Sequence, residues 1–388
     1  MKIRVPALAV LLFTSNVFAT SYLTLNDMKD TVIDDNINIA LAYENYIEAK
    51  ETASVRTLDL LPSVNVDVFL YDYEYTILRS VIPEPYKYFD AKAAKEMAKA
   101  ASVNRRVVQK NMILDLEKTF YIMNLNKELL VSFEKEKAIK DEIKNRSYES
   151  YVLGDMSFSR YNNYHRSSIV AGTNTLVTKE VIDTQELALK LILRVDDLTE
   201  AISLEKPRFD NIYFDYPESV EVAADLAVER SFEVKQFDYL LEAAEYREDS
   251  EAISWLSWSG IGFDYPARVR VAKSNVRQVE LEKKKTIIEI RNQVASLYTL
   301  INRIEQKVES YKQLKEIADE NLENVNLDYD NLLVDFIEVK DAEIDSLVLE
   351  RKLTSLKYEK EILLIRLKRV LGINMLDLPT VPASLANL

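Results

Sequence analysis

The sequence predicts a mainly α-helical protein made of long antiparallel coiled-coil hairpins in two tandem repeats, with a reduced β portion. Three observations carry that prediction. First, Ile290, Val294, Leu297, Ile301, Ile304, Val308, Tyr311, Leu314, Ala318, Leu322, Val325 and Tyr329 form an apolar stripe. Their spacing averages about 3.5 residues, the coiled-coil repeat rather than the 3.6 of a straight surface helix. Second, 388 residues contain only 5 glycines and 9 prolines, so few turns divide the chain. Third, one order of elements occurs twice.

Taken in order, residues 1–19 read as a secretory signal. Lys2 and Arg4 precede an apolar stretch, and Val17 and Ala19 place small residues before a cut after Ala19. Residues 24–60 are helical by spacing, with Leu25, Met28, Val32, Ile39, Tyr43, Tyr46 and Ala49 on one side and one longer gap after Val32. Leu61-Pro62-Ser63 stops that helix. Residues 63–75 alternate as a strand, and a short second strand is expected near 86–89. A helix of roughly 90 Å then runs from Phe89-Asp90 to about Tyr151. Gly154 breaks it, and a returning helix covers 157–202. Residues 207–217, bounded by two prolines, form a linker.

The plan then repeats. Residues 220–252 are helical, and Arg230-Ser231-Phe232 falls where Asp35-Asn36-Ile37 fell in the first half. Ala244 and Leu256 follow Ala49 and Leu61 at that same offset. A second long helix covers 267–329 and its returning partner 334–371. Phe263-Asp264 echoes Phe89-Asp90, and Tyr329-x-x-Leu332 echoes Tyr151-x-x-Gly154, both at a smaller offset. The shrinking offset places a deletion of about twenty residues in the second insert, 256–263. The expected organisation is a signal over 1–19, repeats over 20–206 and 218–373, and a tail over 374–388.

These residues resemble the TolC-like outer-membrane efflux proteins, the exit ducts of tripartite pumps and type I secretion systems. The ordered set carries the resemblance: Leu61-Pro62-Ser63, Phe89-Asp90, Tyr151-x-x-Gly154-x-x-Ser157, Arg230-x-x-Glu233, Phe263-Asp264 with Arg268, the run from Tyr329 to Ala342, and Leu367 to Gly372. The resemblance implies a homotrimer whose helices make an α-barrel in the periplasm, working with a periplasmic adaptor and an inner-membrane pump. In the family each protomer also gives four strands to a barrel in the outer membrane. Here the sequence departs. A membrane strand needs about 9–11 residues, so the insert at 63–88 has room for two, whereas 256–263 cannot cross and return. Anchoring in the outer membrane is then expected to be weak or partner-assisted.

Several residues stand out as candidates. Glu338 and Asp341, with Asp335 one turn earlier, open the last helix. They either complement its dipole or, as the resemblance implies, ring the periplasmic entrance of the duct. Tyr151, Gly154, Tyr329 and Leu332 mark the two hairpin tips, where the resemblance places adaptor docking. Leu332 stands where glycine is expected, and Asn331 beside it is the residue expected to take the left-handed turn. Arg160 stands where the family often has an acid. Trp255, Trp258, Tyr71 and Tyr73 are membrane-interface candidates, or else plug a small core at the closed end of the cylinder.

Other chemistry finds no support. No cysteine is present and His165 is the only histidine, so neither metal nor cofactor is expected. A lipid-modified N-terminal cysteine is excluded on the same ground. No nucleophile motif or phosphate-binding loop points to catalysis. The net charge of −14, with no basic patch, argues against nucleic acid as partner. Two rival readings are a non-conducting periplasmic scaffold and a membrane-fusion adaptor. The adaptor requires glycine-rich β modules around one hairpin, against two hairpins and 5 glycines here.

Overall fold

The computed structural model describes residues 23–61, 83–195, 202–207, 209, 215–256 and 262–373. The signal, the strand expected over 63–75 and the C-terminal tail lie outside them. Helices dominate: α1 (Leu25–Asp35), α2 (Ile37–Leu58), α3 (Pro85–Leu153), α4 (Phe158–Leu193), α5 (Val220–Arg230), α6 (Phe232–Ile253), α7 (Tyr265–Asp330) and α8 (Phe336–Val370). No strand forms among the described residues; an isolated parallel bridge pairs Leu23 with Leu204.

The single helix expected over 24–60 is two. Asn36 adopts extended backbone angles, and its carboxamide oxygen accepts from the amides of Asn38 and Ile39, so it ends α1 and caps α2. Ser231 does the same between α5 and α6, its hydroxyl accepting from the Val234 amide at 3.2 Å. All four boundaries of α5 and α6 follow those of α1 and α2 by one constant interval, the one that separates Ser231 from Asn36.

Three further expectations are corrected. Residues 86–89 are not a strand but the first turn of α3. Pro85 sits at its first position, where a missing N–H costs nothing. The first returning helix ends at Leu193 rather than at 202, because Arg194 takes a left-handed φ of 55° and the Val195 amide closes on the Lys190 carbonyl. At the second tip Leu332, not Asn331, is left-handed, with φ 61°. Asn331 keeps a negative φ of −86°, and its backbone amide and its carboxamide both donate to the Leu327 carbonyl, at 3.1 and 2.9 Å.

The two tips share one geometry. The Gly154 amide donates to Tyr151 O and the Asp155 amide to Ser150 O; Leu332 donates to Tyr329 O and Leu333 to Asp328 O. This paired closure is the Schellman turn. Ser157 and Asp335, three positions after Gly154 and Leu332, cap the returning helices.

The helices form a single curved layer that is four helices wide on each side of a waist. Toward the inserts the order is α2, α3, α6, α7; toward the tips it is α4, α3, α8, α7. Both tips lie at one pole, since Arg146 of α3 stacks over Phe336 of α8 at 3.7 Å. Both inserts leave from the other, where the Ser250 hydroxyl donates to the Asp90 carboxylate at 2.6 Å. The main core sits at the waist, where Val32, Leu116, Phe120, Leu189, Val294 and Leu367 meet.

The left-handed turns make a paired test. Gly154→Ala should cost about 1 kcal/mol of unfolding free energy, and Leu332→Gly should gain a comparable amount. A Cβ at Gly154 meets nothing within 4 Å, so the cost there is conformational alone. Urea midpoints that move in the same direction for both variants would contradict the shared turn geometry.

Candidate functional site

The pole formed by the two tips gathers most of the residues singled out in the sequence. Asp335 accepts from the amides of Ile337 and Glu338 at 2.8 and 3.0 Å, so this carboxylate is the cap of α8. Glu338 follows in the first turn, exposed, where a negative charge complements the helix N-terminus. Asp341 is one turn further. It is exposed, yet local desolvation and the neighbouring Asp345 and Asp335 hold its carboxyl above the usual aspartate range, with Lys140 acting in the opposite sense. Arg160 of α4 hydrogen-bonds Tyr164 and lies within Coulombic range of Asp335.

The first tip is aromatic in a way that single residues did not reveal. Tyr151 stacks on Tyr161 at 5.6 Å between centroids, and Tyr161 on His165 at 5.9 Å. Phe158 and Tyr148 pack on the same group. The signal was present as i, i+3 pairs on helices that flank a turn: Tyr148 and Tyr151 before it, Phe158 and Tyr161 after. His165 therefore belongs to a ring stack, and no group of three potential metal ligands occurs among the described residues. The second tip is aliphatic, with Leu332 91% exposed and Leu333 also exposed. Tyr329 is half-buried and its carbonyl serves the turn.

At the opposite pole Trp255 is exposed on the short 3-10 turn Ser254–Leu256, and Phe263 is fully exposed just before α7. Trp258, Tyr71 and Tyr73 lie outside the described residues. Between the poles, the concave face of α2, α3, α6 and α7 encloses a cleft of about 960 Å³. Its floor is alanine, with Ala49, Ala93, Ala243 and Ala272 on four different helices, and Arg268 bridges Glu251 and Asp264 at its rim.

No family model matches the chain, and no curated protein matches it by sequence. Solved structures do. CusC, whose structures concern transmembrane channel formation, superposes with a TM-score of 0.74 at 12% identity over 96% of this chain and 99% of its own. The outer membrane protein VceC of Vibrio cholerae gives 0.70 at 12% over 90% and 96%. The open MtrE outer membrane channel of Neisseria gonorrhoeae gives 0.71 at 12% over 90% and 88%. This chain has the fold of those channels. The likeness drawn from the sequence thus holds at the level of fold, across nearly the whole length. Among the described residues no helix of this channel fold is long and apolar enough to cross a membrane.

The raised Asp341 carboxyl gives a signed prediction. A folded-state acid held above its unfolded value subtracts stability once both states are ionised. Asp341→Asn should therefore shift the urea midpoint upward at pH 7, and the difference should disappear near pH 3, where both states are protonated. A lower midpoint at pH 7 would mean that the carboxylate has a favourable partner instead.

Proposed function

We propose that this protein is a subunit of an α-helical duct in the envelope of a Gram-negative bacterium. It exports small molecules or proteins together with a periplasmic adaptor and an inner-membrane pump. One observation carries the reading: the curved layer has two unpartnered apolar edges. Among the described residues α7 packs on α8, α6 and α5 and on the segment at Tyr216 and Pro217, and leaves Leu281, Ile288, Leu314 and Ile317 exposed. The opposite edge is α2 above the waist and α4 below it, with Leu41 and Val55, then Ile169, Leu176 and Leu191, exposed. Apolar edges of this length are not left in water by soluble monomers. Two different edges joining head to tail make a closed ring when the curvature fits. Three copies would place the alanine-floored concave faces inward as a wide lumen.

In that ring the tip pole is the periplasmic entrance, Glu338 and Asp341 line it, and Tyr151, Gly154, Tyr329 and Leu332 face the adaptor. The signal over 1–19 accounts for export, and Trp255 and Phe263 face the outer membrane. No enzymatic step is involved.

A second reading, a non-conducting coiled-coil scaffold, draws on one feature. Residues 257–264, between the 3-10 turn and α7, are fewer than the ~9–11 needed for a single membrane strand. Bilayer recording separates the two. A duct conducts, and alanine at both Glu338 and Asp341 should lower its cation selectivity. Absence of conductance favours the scaffold; conductance with unchanged selectivity leaves the two acids as helix-terminal charges only.

A further inference from the structure

Equivalent helix pairs in the two halves are tied differently at one height. In the second half Lys283 of α7 pairs with Asp238 of α6 at 2.5 Å. Asp238 follows Tyr43 of α2 by the interval that separates Ser231 from Asn36. Lys283 follows Arg105 of α3 by the interval that separates Leu332 from Gly154. The first half thus keeps the cation but has a tyrosine in the place of the acid. The Arg105 guanidinium lies over the Tyr43 ring at 5.7 Å and the Tyr46 ring at 5.6 Å. A ring face attracts a cation but carries no counter-charge.

Burial makes the missing acid matter. Lys283 is partly exposed, whereas Arg105 is 5% exposed. The other buried ionic side chains among the described residues each have an opposite charge: Glu96 has Lys99, Glu117 has Arg369, Glu136 has Arg351 and Lys190 has Glu186. Arg105 has no such partner among the described residues, and its Nε is buried without an acceptor. Burial and the adjacent Arg106 hold its pKa below the usual guanidinium range, with only the two tyrosines acting in the opposite sense. A guanidinium stays charged even so. Gln109, one turn on along the same face of α3, is 1% exposed, and both its Oε1 and its Nε2 are buried without a partner. That face meets α2, since the Asn38 carboxamide donates to the Met112 Sδ at the next turn. In the second half the counterparts of Tyr46 and Gln109 are Leu241 and Ile287, which need no partner. A buried cation and a buried amide donor therefore meet in the half that lacks the acid.

We propose that Arg105 and Gln109 bind a small monovalent anion of the halide class between α2 and α3, which supplies the charge that Asp238 supplies in the second half. The tie between α2 and α3 then depends on the anion present, whereas the tie between α6 and α7 is built in. This inference stands apart from the duct reading. Hydrogen exchange on the full chain in mild detergent tests it, with chloride exchanged at constant ionic strength for gluconate, which is too large for so buried a site. Amides of α2 at 39–47 should slow about tenfold for each tenfold rise in chloride above its dissociation constant, while α6 amides at 234–242 do not respond. Neither Tyr43→Asp, which restores the acid, nor Arg105→Gln should respond to chloride. Crystals grown in bromide should show an anomalous peak against the Arg105 guanidinium and the Gln109 amide. Chloride-independent exchange of α2 in the wild-type chain would overturn the site, as would an equal response in Tyr43→Asp or in α6. A carboxylate of a second copy against Arg105, in place of bromide, would also overturn it.

Discussion

The structure depends on α3, the one helix that both halves share as a wall. It packs against α2 and α6 toward the inserts, against α4 and α8 toward the tips, and against α1 at the waist. At 69 residues it spans roughly 100 Å. Its contacts with the second half are tied by charge at three heights. Lys110 pairs with Glu233 at 3.0 Å, Glu117 with Arg369 at 3.1 Å and also Lys29 at 2.7 Å, and Glu136 with Arg351 and Lys140. Burial pushes the Glu136 carboxyl up, but the hydrogen bonds from Lys140 and Arg351 prevail and hold it below the usual glutamate range. Such pairs add little net stability, yet removing one partner leaves a buried charge at a cost of about 3–5 kcal/mol. They fix how the second half sits on the first.

Because α3 occupies the interior of the layer, the edges are left to α7 on one side and to α2 and α4 on the other. The heptad residues Val294, Leu297, Ile301 and Ile304 are buried in this chain's own core, whereas Leu281, Ile288 and Ile317 off that stripe, with Leu314 on it, lie on a face that this chain alone does not cover. Two repeats that share tip turns nonetheless differ in surface chemistry. One tip is a stack of rings and the other a pair of exposed leucines, carried on the same backbone frame.

Much of this was legible in the residues. The heptads located α7 closely at either end, and Tyr151-x-x-Gly154 and Tyr329-x-x-Leu332 located both tips. What escaped was decided by single side chains that periodicity does not register. Asn36 and Ser231 each break a helix by capping the next one while the apolar spacing runs on. Pro85 starts α3 early, and the aromatic residues behind it only imitate strand alternation. Arg194 and Leu332 accept left-handed backbone angles usually given to glycine, because neighbouring amides and carbonyls close around them. The candidate acids were found, but their division of labour was not. Asp335 is committed to capping, whereas Asp341 carries the perturbed carboxyl. The bonds from Ser168 to Asp141 and from Ser346 to Asp319 were invisible because serine–aspartate pairing across a hairpin has no sequence signature until the register is known.

The central claim is that the apolar edges close into a ring around the concave face. Electron-microscope images of the oligomer purified in mild detergent test it most directly. The account predicts a hollow ring of three chains with a helical wall roughly 100 Å long. A stable, soluble monomer at micromolar concentration, with its edges still bare, would contradict it.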